Sequence, residues 1–210
     1  MATMRPLLRE EEIKLLAELK TPRDKLLFQF GRYTGFRIGE LVSITIGQVW
    51  RSDHGVVHEV TIARRSMKGG KGSLRRRIFS RSVPLHSELR NAIGRYLKSR
   101  FGESEPDPTE MLFTSRKGGA IAPSHAWSIF QNAAAVLENS SRVGPHSLRK
   151  TFAQDIFRQT RDLVVTQRAL GHSDIGTTIS YLTPSRAAVD QAILGLAAVR
   201  VSSAPTVVAL

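Results

Sequence analysis

The segment from residue 144 to residue 181 constrains this chain more than any other, because it combines helix signals with side chains suited to phosphate chemistry. Gly144-Pro145 predicts a helix start, since Pro fits a first helical turn. His146 and Arg149 follow three residues apart, and we expect both to project from one face of that helix. An Arg fork donates to phosphate oxygens, and a His adds a further donor or a proton shuttle. This face could therefore hold a phosphate group.

The second half of the segment, LGHSDIGTTISYL, predicts the end of one helix and the start of another. Gly171 is a typical helix terminator, so His172 should lie just beyond a helix, and a new helix should begin near Ser173 or Asp174. Tyr181 lies on that later helix, where its phenol can be a covalent nucleophile if nearby cations stabilise the phenolate. Taken alone, a Tyr on an amphipathic helix is more often an ordinary packing or surface aromatic.

The order of the motifs HxxR, LGH and TTISY at short spacing resembles the C-terminal signature of the tyrosine recombinases, the phage integrase family. The resemblance implies that His146 and Arg149 belong to a cationic cluster. It also implies that His172 contacts a scissile DNA phosphate and that Tyr181 attacks it.

A second motif, TGFRIGEL, lies far earlier in the chain. Arg37 opens a short predicted helix on which Glu40 lies one turn later. On its own this is an ordinary surface ion pair. The motif also resembles the other diagnostic box of the tyrosine recombinases, which implies that Arg37 is the first cationic clamp on the phosphate and that Glu40 supports the site.

The region between these motifs predicts two strands, VVHEVTIA and the beginning of RRRIFSRSVPL, joined by the turn-rich MKGGKGS. It is either a β-hairpin with a basic tip or a solvated basic loop. In the tyrosine recombinases a Lys at this turn enters the minor groove and protonates the leaving 5′ oxygen; the resemblance assigns that role to Lys68, with Lys71 as the alternative. Cations around the turn should track the DNA backbone: Arg64, Arg65, Lys71, Arg75, Arg76, Arg77 and Arg81.

Charge supports a polyanionic partner. The chain has 31 Lys and Arg against 18 Asp and Glu, a formal net charge of +13, which favours nucleic acid, with an anionic membrane surface as the weaker alternative. There is no cysteine, hence no disulfide and no thiolate metal site, and the His residues show no HxxxH or HExxH spacing. We therefore expect catalysis without a metal or any other cofactor.

The remaining periodicity predicts helices with one small sheet. The expected helices and their inward residues are 7–19 with Leu8, Ile13, Leu16 and Leu19; Pro22 to Tyr33; 86–101 with Leu89, Ile93, Tyr96 and Leu97; one from Pro123 with Trp127 and Phe130; and one after Thr183-Pro184 with an apolar stripe of Val189, Ile193 and Leu196. The fold class is mainly α with a small antiparallel β-sheet (α+β), which the resemblance identifies as the tyrosine recombinase catalytic domain.

We expect one catalytic domain over residues 1–200, a flexible C-terminal tail over 201–210, and no N-terminal core-binding domain of the kind that closes around DNA in typical members. The chain is then either a short single-domain recombinase or a catalytic domain separated from its partner domain. The N-terminus lacks a signal peptide's apolar core and no apolar run has membrane-span length. We expect a protein of the prokaryotic cytoplasm, associated with the nucleoid and not with a membrane.

The resemblance implies a metal- and ATP-independent, site-specific DNA recombinase that cleaves and rejoins double-stranded DNA through a 3′-phosphotyrosyl intermediate, as in integration, excision or inversion. It further implies a homotetramer on DNA and a monomer when free, with the last helix packed either on its own subunit or on a neighbour. Two alternatives stay open: DNA relaxation of the type IB topoisomerase kind, and a non-catalytic DNA-binding protein with the same fold.

Overall fold

The computed structural model describes residues 4–63, 80–172, 175–182 and 186–195. Helices dominate these ranges, together with four short strands. The helices are α1 Arg9–Glu18, α2 Pro22–Thr34, α3 Ile38–Leu41, α4 Ser87–Phe101, α5 Pro123–Ala134, α6 Pro145–Thr160, α7 Leu163–Leu170, α8 Ile175–Leu182 and α9 Arg186–Leu194, and the strands are β1 Trp50–Arg51, β2 Gly55–Val56, β3 Glu59–Ile62 and β4 Arg81–Pro84. The predicted fold class, mainly helical with small antiparallel sheets, is confirmed.

The strands form two antiparallel pairs. Strand β1 pairs with β2, a small hairpin that the sequence analysis did not identify. Strand β3 pairs with β4 in a register that places Val60 opposite Val83 and Ile62 opposite Arg81. This confirms a strand within VVHEVTIA. In RRRIFSRSVPL the described strand lies at the end of the segment, whereas the beginning, where a strand was predicted, lies with the rest of residues 64–79 outside the described residues.

Local signals explain where the site helices begin and end. Thr21 caps α2, its hydroxyl accepting from the Asp24 amide at 3.1 Å. Asp162 caps α7, its carboxylate accepting from the Val164 amide at 2.6 Å. Helices α2 and α7 end at Gly35 and Gly171, whose φ values are +60° and +64°. Glycine adopts this left-handed conformation without steric cost, so α7 ends at the predicted terminator, and the last residue of α2 is Thr34, one residue beyond the predicted end.

Helix α2 lies at the centre of the fold, packed against α4 and α6. Its Phe30 is completely buried and makes an edge-to-face contact with Phe113, with ring centroids 6.0 Å apart. Full burial of such a side chain contributes roughly 2–3 kcal/mol. A second, smaller cluster of Phe152, Ala153 and Leu170 joins α6 to α7 and also contacts Tyr181 of α8. The first core thus fixes α2, and the second fixes the helix that carries Tyr181.

Two predictions about buried faces are wrong. Leu15 of α1 and Leu19, which follows its last residue, are buried, whereas Leu8 lies before the helix and Ile13 is 63% exposed. Two residues along a helix rotate a side chain by about 200°, so Ile13 cannot share the face of Leu15. In α5, the buried face centres on Ala126 and Phe130, and Trp127 is exposed.

At the C-terminal end of the described chain, α8 and α9 follow the predicted pattern. Helix α8 carries Tyr181, and α9 exposes Val189 and Ile193. The proposed caps Ser173, Asp174 and Thr183-Pro184, as well as Leu196 and the tail 201–210, lie outside the described residues. Within the ranges that the structure describes, no helix is long and apolar enough to cross a membrane.

Candidate active site

The turn between α2 and α3 positions Arg37. Gly35 ends α2, and a Cβ there would lie 2.4 Å from Cδ1 of Phe152, so only glycine allows this approach. Arg37 then caps α3: its backbone N–H donates to one Glu40 carboxylate oxygen at 2.8 Å, and its Nη1 donates to the other at 3.0 Å. Glu40 is 2% exposed, whereas the Arg37 side chain is 27% exposed. The carboxylate is thus held inside, and part of the Arg37 guanidinium faces outward.

Arg149 projects from α6 into the interior, where it is 1% exposed. Its Nη1 donates to the Gly35 carbonyl, and its Nη2 donates to the Leu170 carbonyl at 2.8 Å. Burial, together with the positive charge of Arg37, lowers the pKa of Arg149 to about 10, which leaves the guanidinium charged at neutral pH. Arg149 therefore ties the end of α2 to the end of α7 and carries its charge into the gap between them.

His172 lies directly after the turn that ends α7 and is buried. Its Nδ1 lies 2.9 Å from the Thr178 hydroxyl on α8. Burial lowers the pKa of His172 to about 3, helped by the positive charges of Arg149, Arg37 and Arg81, so the ring is neutral at physiological pH. In the described part of the chain, its Nε2 is buried without a hydrogen-bond partner.

Tyr181 on α8 completes this cluster. Its ring meets the His172 ring edge-to-face, with centroids 5.3 Å apart, and its phenol interacts electrostatically with the Arg149 guanidinium. The Lys150 ammonium lies 5.4 Å from the centre of the Tyr181 ring, which is within the distance range of a cation–π interaction. The phenol therefore lies beside two cations of its own chain, the environment that a tyrosine nucleophile needs.

His146 occupies a different position from Arg149. Both belong to α6, as predicted, but His146 lies in the first turn and is exposed, whereas Arg149 is buried. Gly144 precedes α6 and Pro145 is its first residue, so His146 lies at the helix N-terminus. The free backbone N–H groups at a helix N-terminus favour binding of an anion. Its phosphate-contacting role stays a prediction.

The arrangement suits an anion with a nucleophile beside it. Arg37, Arg149, His172 and Tyr181 come together from four separate parts of the chain, the α2–α3 turn, α6, the α7–α8 turn and α8. The described residues contain no group of three or more His, Asp or Glu that could hold a metal ion. The chemistry available here is charge neutralisation, hydrogen-bond donation and nucleophilic attack.

Comparison with known proteins identifies the family. The sequence model described as the phage integrase family matches residues 6–187. This chain belongs to the phage integrase family. The tyrosine recombinase XerD of Pseudomonas aeruginosa is 32% identical over 166 residues, which cover 79% of this chain and 51% of that protein. XerC of Pseudomonas fluorescens is 32% identical over 160 residues, which cover 76% and 47%. The chain spans about half the length of the curated relatives it matches.

Solved structures of the family share this fold. The crystal structure of the XerA recombinase has a TM-score of 0.67 at 23% identity and covers 92% of this chain and 65% of that one. The Tn1549 transposon integrase, in complex with transposon right end DNA, has a TM-score of 0.68 at 17% identity, with 92% and 66% coverage. The catalytic domain of bacteriophage HP1 integrase has a TM-score of 0.55 at 21% identity, and the match covers 91% of this chain and 95% of that one. The predicted family and its catalytic-domain fold are confirmed.

Several residues of this phage integrase site were not predicted from the sequence. Thr178 orients His172, Lys150 lies against Tyr181, and the backbone carbonyls of Gly35 and Leu170 hold Arg149. The carbonyl contacts have no sequence signal, because any residue supplies a carbonyl. Thr178 could have been suspected, since it lies one helical turn before Leu182 on the face of α8 that turns inward.

The cations of the hairpin divide into two groups. Arg81 is 6% exposed, so the prediction that it lies on a surface phosphate track is wrong; it belongs to β4, whose alternate side chains Arg81 and Val83 turn inward. The other predicted cations lie outside the described residues and stay predictions: Arg64, Arg65, Lys68, Lys71, Arg75, Arg76 and Arg77.

Proposed function

We propose that this chain is the catalytic part of a site-specific DNA recombinase, which cleaves and rejoins DNA strands through a 3′-phosphotyrosyl intermediate. One observation carries the proposal: Arg37, Arg149 and His172 converge on Tyr181 from separate elements of the same chain. Membership of the phage integrase family supports it. Assigning residues 1–200 to the catalytic domain belongs to the same proposal.

The cluster lowers the main barrier to the reaction. A phosphate diester is negatively charged and repels a nucleophile, and more charge builds on its non-bridging oxygens in the transition state. Arg37 and Arg149 place guanidinium groups where that charge develops, and His146 adds a donor from the start of α6. Loss of one such preorganised donor typically costs ~10²–10³ in rate.

His172 acts in its neutral form. With the Thr178 hydroxyl donating to Nδ1, the single ring proton lies on Nε2, which then donates to a non-bridging phosphate oxygen. The unpartnered state of Nε2 among the described residues supports this assignment. A buried donor without an acceptor is costly, and a bound phosphate would supply the acceptor.

Covalent chemistry then follows in one displacement. The Tyr181 oxygen attacks phosphorus as the phenol releases its proton to solvent. A bond forms between the Tyr181 oxygen and the phosphorus, which stays on the 3′ oxygen, and the bond from phosphorus to the 5′ oxygen breaks. Lys68, or Lys71 in the alternative register, donates a proton to the leaving 5′ oxygen. One phosphodiester replaces another, so no ATP is consumed. Attack by a 5′ hydroxyl of a partner strand reverses the step and completes the exchange.

Double-stranded DNA is the partner that the charge favours. With a formal net charge of +13, and with hairpin cations at Arg64, Arg65 and 75–77, affinity should be strong and should fall steeply with salt. The XerH recombinase and the Tn1549 integrase, both of this fold, were solved with DNA bound. The corresponding location is the nucleoid of a prokaryotic cell.

Assembly is part of the proposal. Exchange between two duplexes needs one nucleophile for each cleaved strand, which means four subunits on two DNA sites. Before DNA binds, the protein is a monomer in this proposal. The exposed apolar residues Val189 and Ile193 on α9 support a contact with a neighbouring subunit.

Covalent trapping tests the function. Genomic DNA fragments of the source organism are incubated with the protein, and the mixture is denatured. The DNA in any covalent adduct that survives is then sequenced. We expect a parent adduct at defined sites and none with Tyr181→Phe, which should bind DNA nearly as well because only the nucleophilic oxygen is removed. An adduct that survives denaturation in Tyr181→Phe would contradict the assignment.

The same assay separates the alternatives. Relaxation of a supercoiled plasmid that lacks any trapped site would indicate a topoisomerase activity. DNA binding with no adduct on any fragment, including nicked substrates whose cleaved end diffuses away, would indicate a non-catalytic DNA-binding protein.

A further inference from the structure

Arg81 is a buried arginine with unused hydrogen-bonding capacity. It is the first residue of β4 and is 6% exposed. Its Nη2 donates to the Thr34 carbonyl at 2.6 Å, and its guanidinium carbon lies 4.8 Å from the centre of the Phe36 ring. Its Nε and Nη1 are buried and have no hydrogen-bond partner among the described residues. A buried arginine with two unpaired donors lowers the stability of the fold, so stability alone does not explain its presence.

The position of Arg81 connects the two turns that form the site. Its contacts with Thr34 and Phe36 hold the chain on either side of Gly35, directly before Arg37. Its aliphatic stem lies against Gly171, where a Cβ would come within 2.7 Å of Arg81 Cδ. Gly171 immediately precedes His172. Arg81 thus touches the backbone next to two predicted phosphate ligands, and it does so from the base of the hairpin that carries Lys68.

Among the described residues, the positive charge at this position is not balanced by carboxylates. Arg37, Arg81 and Arg149 act on one another, and Glu40 is the carboxylate that acts on both Arg81 and Arg149. Three guanidinium groups therefore face one carboxylate. Burial and the charge of Arg149 lower the pKa of Arg81 to about 9, which still leaves it positive at neutral pH. The surplus of positive charge is unfavourable until an anion arrives.

We propose that Arg81 is a positioning residue for DNA strand cleavage: its buried charge adds to the potential that holds the scissile phosphate, and its contacts fix the backbone beside Arg37 and His172. It acts through the backbone that it contacts at Thr34 and Gly171 and through its charge, and not as a ligand of the phosphate. The inference rests on the proposed cleavage activity, but its effect on anion binding can be measured without DNA.

Two substitutions separate charge from packing. Arg81→Lys keeps the positive charge but loses the planar fork, whereas Arg81→Gln keeps a donor for the Thr34 carbonyl but loses the charge. Arg90→Gln is the matched control. Arg90 on α4 also has a buried Nε without a partner in the described chain, and its Nη2 donates to the Val56 carbonyl at 3.3 Å.

The first measurement is the melting temperature with and without inorganic phosphate at matched ionic strength. A ligand that binds only the folded state raises its stability. We expect the parent, Arg81→Lys and Arg90→Gln to gain similarly from phosphate, and Arg81→Gln to lose more than about half of that gain. Each protein is compared with itself, so a change in basal stability does not affect the result. A full gain in Arg81→Gln, or no gain in the parent, would overturn the proposal.

The second measurement is the rate of covalent adduct formation at saturating DNA, on a fragment trapped by the parent protein. We expect Arg81→Gln to slow by about tenfold or more, less than the loss of a donor that touches phosphate, with an unchanged half-saturating DNA concentration. Arg81→Lys should recover most of the rate. Equal rates in Arg81→Gln and the parent, or a loss in Arg81→Lys as large as in Arg81→Gln, would contradict a role of charge.

The two measurements also keep this inference distinct from the proposed function. If the parent forms no adduct with any DNA, the cleavage proposal fails, and the phosphate-dependent melting still decides whether Arg81 supports an anion site. If Arg81→Gln does not fold, Arg81→Lys decides the matter: a folded Arg81→Lys protein that gains nothing from phosphate would refute the proposal.

Discussion

At the scale of single residues, Arg37 and Arg149 differ in how much of each side chain remains available to DNA. Arg149 is buried and already donates to two backbone carbonyls. Arg37 is more exposed and gives one side-chain nitrogen to Glu40. Removing the Arg149 side chain would leave both carbonyls without their donor and a cavity in the core. A loss of activity in such a variant could not be separated from a loss of folding. Arg37 is the better position at which to test phosphate binding.

Arg37→Lys should fold and lose most cleavage. A lysine keeps a positive charge beside Glu40, so the buried carboxylate stays paired, but it lacks the fork that binds two phosphate oxygens. We expect adduct formation at saturating DNA to fall by about 10²-fold. Arg51→Lys on the exposed strand β1 is the control and should cleave like the parent. A parental rate in Arg37→Lys would show that Arg37 does not bind the phosphate.

His172 predicts a pH dependence of stability in the DNA-free protein. Its pKa is lowered from 6.5 to about 3 by burial and by the nearby Arg charges. Between these values the unfolded chain binds a proton that the folded chain does not, so the stability present above pH 6.5 is lost as the pH falls toward 3. We expect a loss on the order of 1 kcal/mol between about pH 6.5 and pH 5.

Urea unfolding checks this sign. The midpoint should fall between about pH 7.5 and pH 5 in the parent, and it should fall less in His172→Gln, which has no imidazole to protonate. His125→Gln, at an exposed position in α5, is the control and should behave like the parent. The same pH dependence in His172→Gln and the parent would show that His172 is not held neutral.

The sequence predicted the helices and turns that carry the candidate site better than the packing around them. The segments that carry Arg37, Arg149, His172 and Tyr181 were assigned correctly, because local caps and turns determine them. The burial of Arg81 was not predicted, since a cation in a basic hairpin gives no sign of which side of β4 it occupies. Only the packing of β4 against the α2–α3 turn and Gly171 decides that.

At the scale of elements, the helix boundaries followed from local chemistry and the buried faces did not. Pro145 and Gly171 mark α6 and α7 in the sequence as they do in the structure. The inward faces of α1 and α5 depend on partners distant in sequence, which pack against each other. The short pair β1–β2 was missed because strands of two residues carry no periodicity.

The hairpin predicts a general acid at Lys68. Strands β3 and β4 are paired, and Lys68 belongs to the segment of the sequence between them. We expect Lys68→Ala to cleave ordinary DNA slowly, because the leaving 5′ oxygen then lacks a proton donor. DNA with sulfur at that bridging position should restore the rate, since a thiolate leaves without a proton. Defect and rescue in Lys71→Ala, with Lys68→Ala unaffected, would establish the alternative register.

At the scale of the whole molecule, the chain matches about half the length of its curated relatives, and its described surface ends in an unpaired apolar helix face. Val189 is exposed on α9, and Ile193 is 59% exposed. A helix of this length is not stable alone in water, so its apolar face needs a packing partner. Its own core is one partner, and a neighbouring subunit on DNA is the other.

We expect the neighbour to be the partner once DNA is bound. Removal of all residues after Pro184 should then spare monomer folding and DNA binding, because the two cores of the described chain lie before that point. It should abolish assembly of two duplexes and strand exchange, since subunits would lose the contact that joins them. Thermal melting, DNA binding and two-duplex complexes on native gels measure these three properties separately.

Val189→Ser with Ile193→Ser in the full chain provides the matched test, because it keeps the length and changes only the apolar face. This double variant should fold and cleave nicked DNA as the parent does, but fail to assemble two duplexes. If it or the truncated chain still recombines two duplexes, α9 does not join subunits. If the truncated chain fails to fold while the double variant melts well below the parent, α9 packs on its own subunit, and the contact between subunits must come from another surface.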